Sequence, residues 1–369
     1  MDFSWSPEQD LLRDGVRKFL ARSAADVRKV MATREGFDRA VWRRMAEELG
    51  LHGIGLPEEY GGAGATLLEL GIVCEELGRT VHPSPFFSSV ILAGRTILAV
   101  GSEDEKRLLL PNIASGESIA ALALLEEGGA WDLDAVTTLA RRDGDAFVVD
   151  GEKAFVSDGH VADLFVVVAR VDGALSAIVV ERDAPGLTVT PLSTMDQTRR
   201  QARLSLSAVR GRLLGPIENT FYALTRALDE AAVCLSCEML GGASRALEAM
   251  VDYAKVRTQF GRAIGSFQAI KHTCAEVFLE VESARSAAYW AAWARANDDA
   301  EATIAASAAK SWCCDAYFHA AAACIQVHGG IGFTWEHDAH LHLKRARSAI
   351  NLLGDPVLHR ERVARQLDL

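Results

Sequence analysis

Two arginines and two glycines interrupt a helical pattern in the stretch VRTQFGRAIGSFQAIKH. Arg257 and Arg262 flank TQFG, and Gly261 and Gly265 let the backbone turn or let another group approach closely. Because a planar guanidinium can bind two phosphate oxygens at once, arginines at a helix break suit a diphosphate. Phe260 adds a flat face beside them. The types and spacing favour a site for a phosphorylated ligand, although a plain helix C-cap and turn is the simpler interpretation of this stretch alone.

A second glycine pair follows in IQVHGGIGF, at the end of another helical pattern. Gly329 and Gly330 would leave bare backbone on which a planar or phosphorylated group could lie. HGGIGF is superficially similar to the HGGG of an oxyanion hole, but no GxSxG motif exists to supply a nucleophile. A C-cap again explains the motif taken alone. The two motifs together, in this order and after a β region, are much more specific.

Other site types are not indicated. The sequence has neither a GxGxxG between a strand and a helix nor a GxxxxGK[ST] motif, which argues against Rossmann and P-loop sites. Cys234 and Cys237 form a CxxC, but within a helical pattern and without a second pair. His337, His340 and His342 surround an acidic turn and a helix start, where a solvated helix surface is expected. We therefore predict no metal site.

Composition excludes some partners. The chain has 369 residues, 49% of them hydrophobic and 24% charged, which is an ordinary globular balance. Its formal net charge of -11 argues against a nucleic-acid binder, while leaving room for a local basic pocket. No apolar run approaches the length of a membrane span, and the acidic, amphipathic N-terminus is unlike a signal peptide. We expect a cytoplasmic protein with reduced cysteines and no membrane span.

The elements that must position these motifs fall into three stretches. Helical periodicity comes first, with Ser6 as N-cap and Pro7 as the first helical residue of SPEQDLLRD. Short β-branched runs such as ADLFVVVARV follow and predict antiparallel strands, after which long helical segments return. We predict a helical N-terminal domain over 1–117, a β-barrel domain over 118–214 and a C-terminal helical bundle over 215–369.

Taken together, these motifs and stretches resemble a known family, the acyl-CoA dehydrogenases. The resemblance covers essentially the whole chain, from SPEQDLLRDGVRKFL through GEKAFVSDGHVADLFVVVAR to HLKRARSAINLLGD, and its most specific part is the pair RTQFGRAIGSFQ and QVHGGIGF. It implies an α+β, mainly α fold: a helical N-terminal domain, a central β-barrel and a C-terminal four-helix bundle. The implied chemistry removes the α-proton of an acyl-CoA thioester with a carboxylate and passes the β-hydride to FAD.

The resemblance also assigns cofactor contacts. It implies that the arm after the first long bundle helix reaches the FAD diphosphate of a neighbouring subunit, and that the second glycine motif meets the same cofactor. The residues assigned in this way are Arg257, Gln259, Phe260, Gln268, Gln326, Gly329 and Gly330. This implies an oligomer.

The sequence departs from the family pattern at positions that the resemblance places near the flavin. Leu125 stands where the family usually has a threonine whose hydroxyl touches the flavin. The usual Trp-Ile-Thr over the flavin corresponds to Phe155, Val156 and Ser157, which keep an aromatic ring and a hydroxyl. Phe155 and Ser157 are therefore assigned to cofactor binding. Asp355 is assigned to orienting backbone or cofactor.

The catalytic base is the largest departure. Leu353, in the run Leu352-Leu353-Gly354-Asp355, matches the glutamate of the common Tyr-Glu-Gly-Thr pattern, and it cannot abstract a proton. Ala231 occupies the alternative base position on the first bundle helix.

Two carboxylates lie near the position of Ala231. Glu238 lies seven residues further and on nearly the same helix face, in an apolar run that could raise its pKa. Glu230 is one residue away and should face elsewhere. An ion pair between Glu238 and an arginine, or capping of a neighbouring helix by Glu238, is the structural alternative.

An intact arm without a base resembles the smaller subunit of the heteromeric α2β2 acyl-CoA dehydrogenases that act in bacterial steroid and dicarboxylic-acid breakdown. The resemblance implies a larger subunit as partner, an acyl-CoA thioester as substrate and an electron-transferring flavoprotein or similar acceptor. Two alternatives remain open at this stage. One is a self-sufficient homo-oligomeric dehydrogenase with Glu238 or Glu230 as base, and the other is a non-redox binding or structural member of the fold.

Overall fold

The computed structural model describes residues 5–23 and 27–369. Their contacts group into two compact units. The barrel unit comprises residues 27–66 and 83–231, and the bundle unit comprises the N-terminal helix, residues 67–82 and residues 232–369. None of the helices in the described ranges is long and apolar enough to cross a membrane.

The secondary structure alternates between helices and strands as follows. In chain order the α-helices are α1 (Pro7–Arg22), α2 (Val27–Ala32), α3 (Arg39–Glu47), α4 (Leu67–Arg79), α5 (Arg95–Val100), α6 (Glu103–Ala114), α7 (Ile217–Val256), α8 (Gln268–Ala296), α9 (Ala302–His328), α10 (Ala339–Asn351) and α11 (Pro356–Gln366). The strands are β1 (Ala120–Ala123), β2 (Leu139–Asp143), β3 (Ala146–Ser157), β4 (Leu164–Val171), β5 (Ala174–Glu181), β6 (Leu187–Pro191), β7 (Gln201–Leu214), β8 (Thr258–Gln259) and β9 (Arg262–Ala263). A π-helical segment (Phe87–Gly94) precedes α5.

The first helix begins where its sequence predicts. Ser6 caps α1 by accepting a hydrogen bond from the backbone of Gln9 at 3.2 Å, and the Gln9 side chain accepts one from the Ser6 backbone at 3.0 Å. Pro7 follows at the first helical position, where its missing N–H costs nothing. This capping box satisfies two backbone donors that a bare helix end would leave unpaired.

A closed β-barrel forms the centre of the barrel unit. Its ring runs β4–β2–β3–β7–β5 and returns to β4, while β1 pairs with β4 and β6 with β7 outside the ring. The barrel is confirmed, and the predicted strand runs, which form β3, β4, β5 and β7, pair with one another antiparallel as expected, whereas β1 and β2 each pair parallel with β4. The two parallel pairs were not predicted, because the hydrophobic pattern of a strand reports which residues are buried and not the direction of its neighbour.

The bundle unit is helical and close-packed, as the sequence predicts for the C-terminal region. Its α8 and α9 pack together through buried alanines, and α10 and α11 also contact α9. Two glycines bring α4 and α7 into contact: a Cβ on Gly241 would lie 1.9 Å from the Glu75 carbonyl oxygen, and one on Gly78 would lie 1.9 Å from that of Glu238. Side chains at these two positions would force the helices apart, so the crossing fixes the place of Glu238.

Candidate functional site: a cofactor arm and two base positions

The predicted arm is a tight hairpin between α7 and α8. Strands β8 and β9 pair with each other, and the two residues between them, Phe260 and Gly261, have φ angles of 52° and 76°. Positive φ at both central residues is typical of the hairpin turns whose twist matches the strands. The Ile264 backbone donates to the Arg257 carbonyl at 2.8 Å, which closes the base of the arm.

The side chains of the arm face solvent. Phe260 is 91% exposed, and Arg257, Gln259 and Gln268 are exposed as well. Within the described part of the chain, the Arg257 guanidinium makes no ion pair. Arg262, in contrast, lies over the Phe267 ring at 4.2 Å and is held against its own chain. The arm thus presents a cation, an aromatic ring and amides outward.

The structure brings the second glycine motif to the same end of the bundle unit. The His328 ring, at the end of α9, stacks on Tyr253 of α7 with ring centroids 4.3 Å apart, and the Tyr253 carbonyl accepts from the Arg257 backbone at 2.9 Å. Beyond His328, a Cβ on Gly329 or Gly330 would meet no atom within 4 Å. The open backbone of the glycine pair therefore follows a histidine that packs on the last turns of α7, the helix after which the arm begins.

These residues fit the diphosphate of the expected FAD. A phosphate group needs cationic or N–H donors and room to approach, and the arm offers the Arg257 guanidinium with the exposed amides of Gln259 and Gln326. The glycine pair supplies backbone that no side chain shields. The assignment of these contacts stays a prediction, and the geometry is compatible with it.

In the barrel unit, the predicted flavin-side residues lie on a β-bulge. The register of β3 against β7 shifts between Lys153 and Val156, and Phe155 has a φ of 54° with 41% of its surface exposed. Ser157 is buried. Leu125, whose carbonyl accepts from the Ala154 backbone at 2.8 Å, buries its side chain and offers no hydroxyl. Bulges and positive φ re-aim side chains, here turning an aromatic ring outward.

An ion pair between the buried Lys153 and the partly exposed Glu126 was missed by sequence reasoning. Lys153 is fully buried and donates to Glu126 at 2.8 Å and to the Leu124 carbonyl at 3.0 Å. Desolvation lowers the pKa of Lys153 to about 8. Desolvation also opposes the charge of Glu126, but hydrogen bonds from Lys153, Thr137 and Thr138 outweigh it and lower that pKa to about 2. The pair fixes the loop that carries Leu125.

This loop lines a groove of about 400 Å³ in the barrel unit. Besides Glu126, the groove is lined by Glu127, Asp132 and Glu152, together with the backbone of Gly128 and Gly129. Four of its eleven lining residues thus carry carboxylates, of which the Glu126 carboxylate is paired with Lys153, and the others are glycines, apolar residues and one threonine.

Neither base position carries a proton acceptor. Ala231 in the barrel unit and Leu353 in the bundle unit are both buried, with exposed fractions of 1% and 5%. Leu353 adopts a φ of 63°, a left-handed conformation that is rare for a bulky residue. An alanine methyl and a leucine side chain cannot accept the α-proton of a thioester.

The two candidate carboxylates are both held in ion pairs. In the bundle unit Glu238 accepts from Arg345 at 2.6 Å, and both side chains are buried. In the barrel unit Glu230 binds Arg95 at 2.6 Å and Arg226 at 3.3 Å. For Glu238 the structure shows the alternative named in the sequence analysis, an arginine pair. Either group would have to break a buried pair before acting as a base.

Asp355 lies at the start of α11 and acts as its N-cap. Its carboxylate accepts from the Leu358 backbone at 2.8 Å, and Pro356 occupies the first helical position. The expectation that Asp355 orients backbone matches this contact, while its contact with a cofactor stays a prediction.

The histidines near the C-terminus differ from expectation. His340 and His342 are buried, each with 7% exposure, so their assignment to a solvated helix surface is wrong. His342 shares a 3.0 Å hydrogen bond with the Tyr317 hydroxyl, and burial lowers its pKa to about 3. Both positions lie on the buried face of α10. Because histidine is a polar residue type, the sequence pattern did not indicate that they are buried. No cluster of potential metal ligands occurs among the residues that the structure describes.

The CxxC cysteines are structural in character. Cys234 and Cys237 are buried free thiols on α7. Desolvation raises the pKa of Cys237 well above its ordinary value, which keeps the thiol protonated and unreactive.

Comparison with protein families gives three matches that together span most of the chain. They are the acyl-CoA dehydrogenase N-terminal domain over residues 6–117, the middle domain over 121–209 and the C-terminal domain over 221–367.

Individual relatives agree with the family matches. Acyl-CoA dehydrogenase IpdE2 of Mycobacterium tuberculosis is 36% identical over 352 residues, covering 95% of this chain and 94% of that protein. A variant of the Tcur3481-Tcur3483 steroid ACAD is 32% identical with a TM-score of 0.89, covering 98% of both chains. The ChsE4-ChsE5 complex of Mycobacterium tuberculosis contains a chain 27% identical with a TM-score of 0.91, covering 100% of this chain and 99% of that one.

Proposed function

The chain belongs to the acyl-CoA dehydrogenase family, and we propose that it is the FAD-completing subunit of a heteromeric member whose catalytic base lies on a partner chain. The family's chemistry is an FAD-dependent oxidation at a CH–CH bond of an acyl-CoA thioester. In that reaction the bound flavin supplies the hydride acceptor, and a carboxylate must take the α-proton. The proposal concerns which of these two tasks this chain performs.

One observation carries the proposal: both base positions are buried and apolar, while the arm is complete and unpaired. Leu353 and Ala231 cannot take a proton, and Glu238 and Glu230 are committed to arginines. Arg257, in contrast, is exposed and makes no ion pair among the described residues. A composite site needs each task once, so a chain that only holds the cofactor can lose its base.

The relatives support a two-component assembly and a steroid-derived substrate. ChsE4-ChsE5 and Tcur3481-Tcur3483 are each named for two components, and the latter is called a steroid ACAD. We therefore propose a larger acyl-CoA dehydrogenase subunit as partner in an α2β2 complex and a steroid-derived acyl-CoA as substrate. An electron-transferring flavoprotein would accept the electrons, and the complex would act in the cytoplasm.

Flavin stoichiometry tests the proposal. The protein is purified alone and after co-expression with the larger subunit, and FAD absorbance is measured per chain. We expect little flavin in the lone protein and one flavin per two chains in the complex. A lone protein with one flavin per chain that is bleached by acyl-CoA would instead establish the self-sufficient homo-oligomer. Absence of flavin in both preparations would favour a non-redox member.

A further inference from the structure

A buried lysine contacts the loop between α10 and α11, residues 352–355. Lys310, on α9, has no exposed surface. Its ammonium donates to the Gly354 carbonyl at 2.9 Å and to the carbonyls of Ala349 and Ile350 at 3.2 and 3.3 Å. The last two belong to the final turn of α10, whose carbonyls have no partner within the helix. One side chain therefore ties the end of α10 to the loop that follows it.

The remaining partner of Lys310 is also neutral. Cys314 lies one turn further along α9, with its sulfur 3.0 Å from the ammonium. Desolvation raises the pKa of Cys314, although the neighbouring ammonium opposes this. Within the described ranges no carboxylate lies within ion-pair distance of Lys310. A buried cation is costly unless its donors are used, so the carbonyl contacts are the reason that it can be there.

Residues that follow the loop in the chain also constrain it. His359 shares a 2.9 Å hydrogen bond between its Nε2 and the Leu353 carbonyl, and it is buried. Gly354 has a φ of 96°, and a Cβ there would lie 2.6 Å from the Leu358 side chain. Side chains outside the loop thus hold two consecutive carbonyls, which explains how Leu353 can keep its left-handed backbone.

We propose that Lys310 is a positioning residue for the cofactor site: its ammonium fixes the loop 352–355, and with it Leu353 and Asp355, against the bundle. The proposal rests on the assignment of this loop to the FAD side of the site. It explains why the loop has a strained backbone that is held at two carbonyls although residue 353 is a leucine and cannot act as a base. The backbone has a task that is separate from the missing carboxylate, namely to hold the surface on which the cofactor lies.

Local hydrogen exchange tests the positioning. In Lys310→Met the stem is kept and the charge removed, and amides of the 352–355 loop should exchange about ten-fold faster or more, while those of α8 change little. Lys310→Gln keeps two N–H donors and should give an intermediate rate. Lys18→Met, on the exposed surface of α1, is the matched control and should leave the loop unchanged. If Lys310→Met does not fold, His359→Leu releases the Leu353 carbonyl alone and should still raise loop exchange.

Flavin binding tests the link to the cofactor. In the complex with the larger subunit, Lys310→Met should weaken FAD binding about ten-fold and shift the visible flavin spectrum, with Lys310→Gln between it and the unaltered protein. Lys18→Met should change neither. Unchanged loop exchange in the Lys310 and His359 variants would overturn the clamp. Faster loop exchange with unchanged flavin affinity and spectrum would overturn the cofactor role. Failure of the heteromeric proposal shows separately, in the flavin stoichiometry of the unaltered chains.

Discussion

The arm at 257–267 and the loop at 352–355 both belong to the bundle unit, and both carry left-handed residues, yet they are built in opposite ways. Phe260 at the tip of the arm is 91% exposed, and its left-handed backbone is held by the short ladder of β8 and β9 and by the hydrogen bond from the Ile264 backbone to the Arg257 carbonyl. Leu353 in the loop is buried, with its carbonyl and the next one held by His359 and Lys310. The arm leaves Phe260 and Arg257 exposed, whereas the loop is fixed by buried side chains of α9 and α11.

The largest expected effect comes from breaking the buried ion pair between Glu238 and Arg345, which, like the loop at 352–355, lies inside the bundle unit. Arg345→Met should leave the Glu238 carboxylate buried without its partner and lower the free energy of unfolding by about 3–5 kcal/mol. Urea denaturation of the variant checks this. The double variant Glu238→Leu/Arg345→Met removes both charges and should recover most of the loss. A single-variant loss below about 1 kcal/mol would mean that the pair is not structural.

The converse change on the arm should affect the cofactor and not the fold. Arg257→Ala should weaken FAD binding in the complex by about 10- to 100-fold, because a charge-assisted contact to phosphate is lost. The free energy of unfolding should stay within about 0.5 kcal/mol, as expected for an exposed side chain. Arg141→Ala, exposed on β2, is the control for general charge effects. Flavin affinity that follows Arg141 as strongly as Arg257 would contradict the assigned contact.

Acid should destabilise the interior of the bundle unit, where His342 is buried. Burial lowers the pKa of His342 to about 3, and Arg245 and Arg345 also disfavour its proton, while Asp338 favours it. The unfolded chain takes up this proton near pH 6.5, so stability is complete above that value. It should fall by about 1.4 kcal/mol per pH unit as the pH drops from 6.5 toward 3.

Replacing the histidine isolates this contribution. His342→Asn should lower stability at neutral pH, because the contact with Tyr317 changes, but it should flatten the acid slope by about one proton. Urea unfolding at several pH values between 5 and 7 measures both. An unchanged slope in His342→Asn would show that the buried imidazole is not the titrating group.

The smallest effect concerns the tip of the arm. Phe260→Ala removes a 91% exposed ring and should change the free energy of unfolding by no more than about 0.5 kcal/mol. FAD affinity in the complex should fall by a few-fold, because the ring contributes apolar contact and not charge. Calorimetric unfolding and flavin titration give the two numbers. A large loss of stability in the lone chain would mean that Phe260 packs on its own subunit.

Residue types and their spacing predict the features that depend on neighbouring residues in the chain. The Ser6 cap follows from residue types at fixed offsets, whereas the arm after α7 was implied by the resemblance of RTQFGRAIGSFQ to the family motif, since a C-cap and turn is the simpler interpretation of its residues alone. The parallel pairing of β1 and β2 with β4 was not predicted, because burial patterns are the same in parallel and antiparallel pairs. Lys310 and Lys153 were missed for a different reason: lysine ordinarily indicates surface, and their partners are backbone carbonyls and a carboxylate distant in sequence.

The location of the base is the central claim, and single-turnover reduction of the flavin tests it most directly. The complex is mixed anaerobically with acyl-CoA, and bleaching is followed for Glu230→Gln and Glu238→Gln in this chain and for a glutamine replacement of the catalytic glutamate in the larger subunit. We expect bleaching to survive both changes in this chain and to be lost with the larger subunit's glutamate. Loss of bleaching in a folded, flavin-loaded Glu238→Gln or Glu230→Gln complex would contradict it.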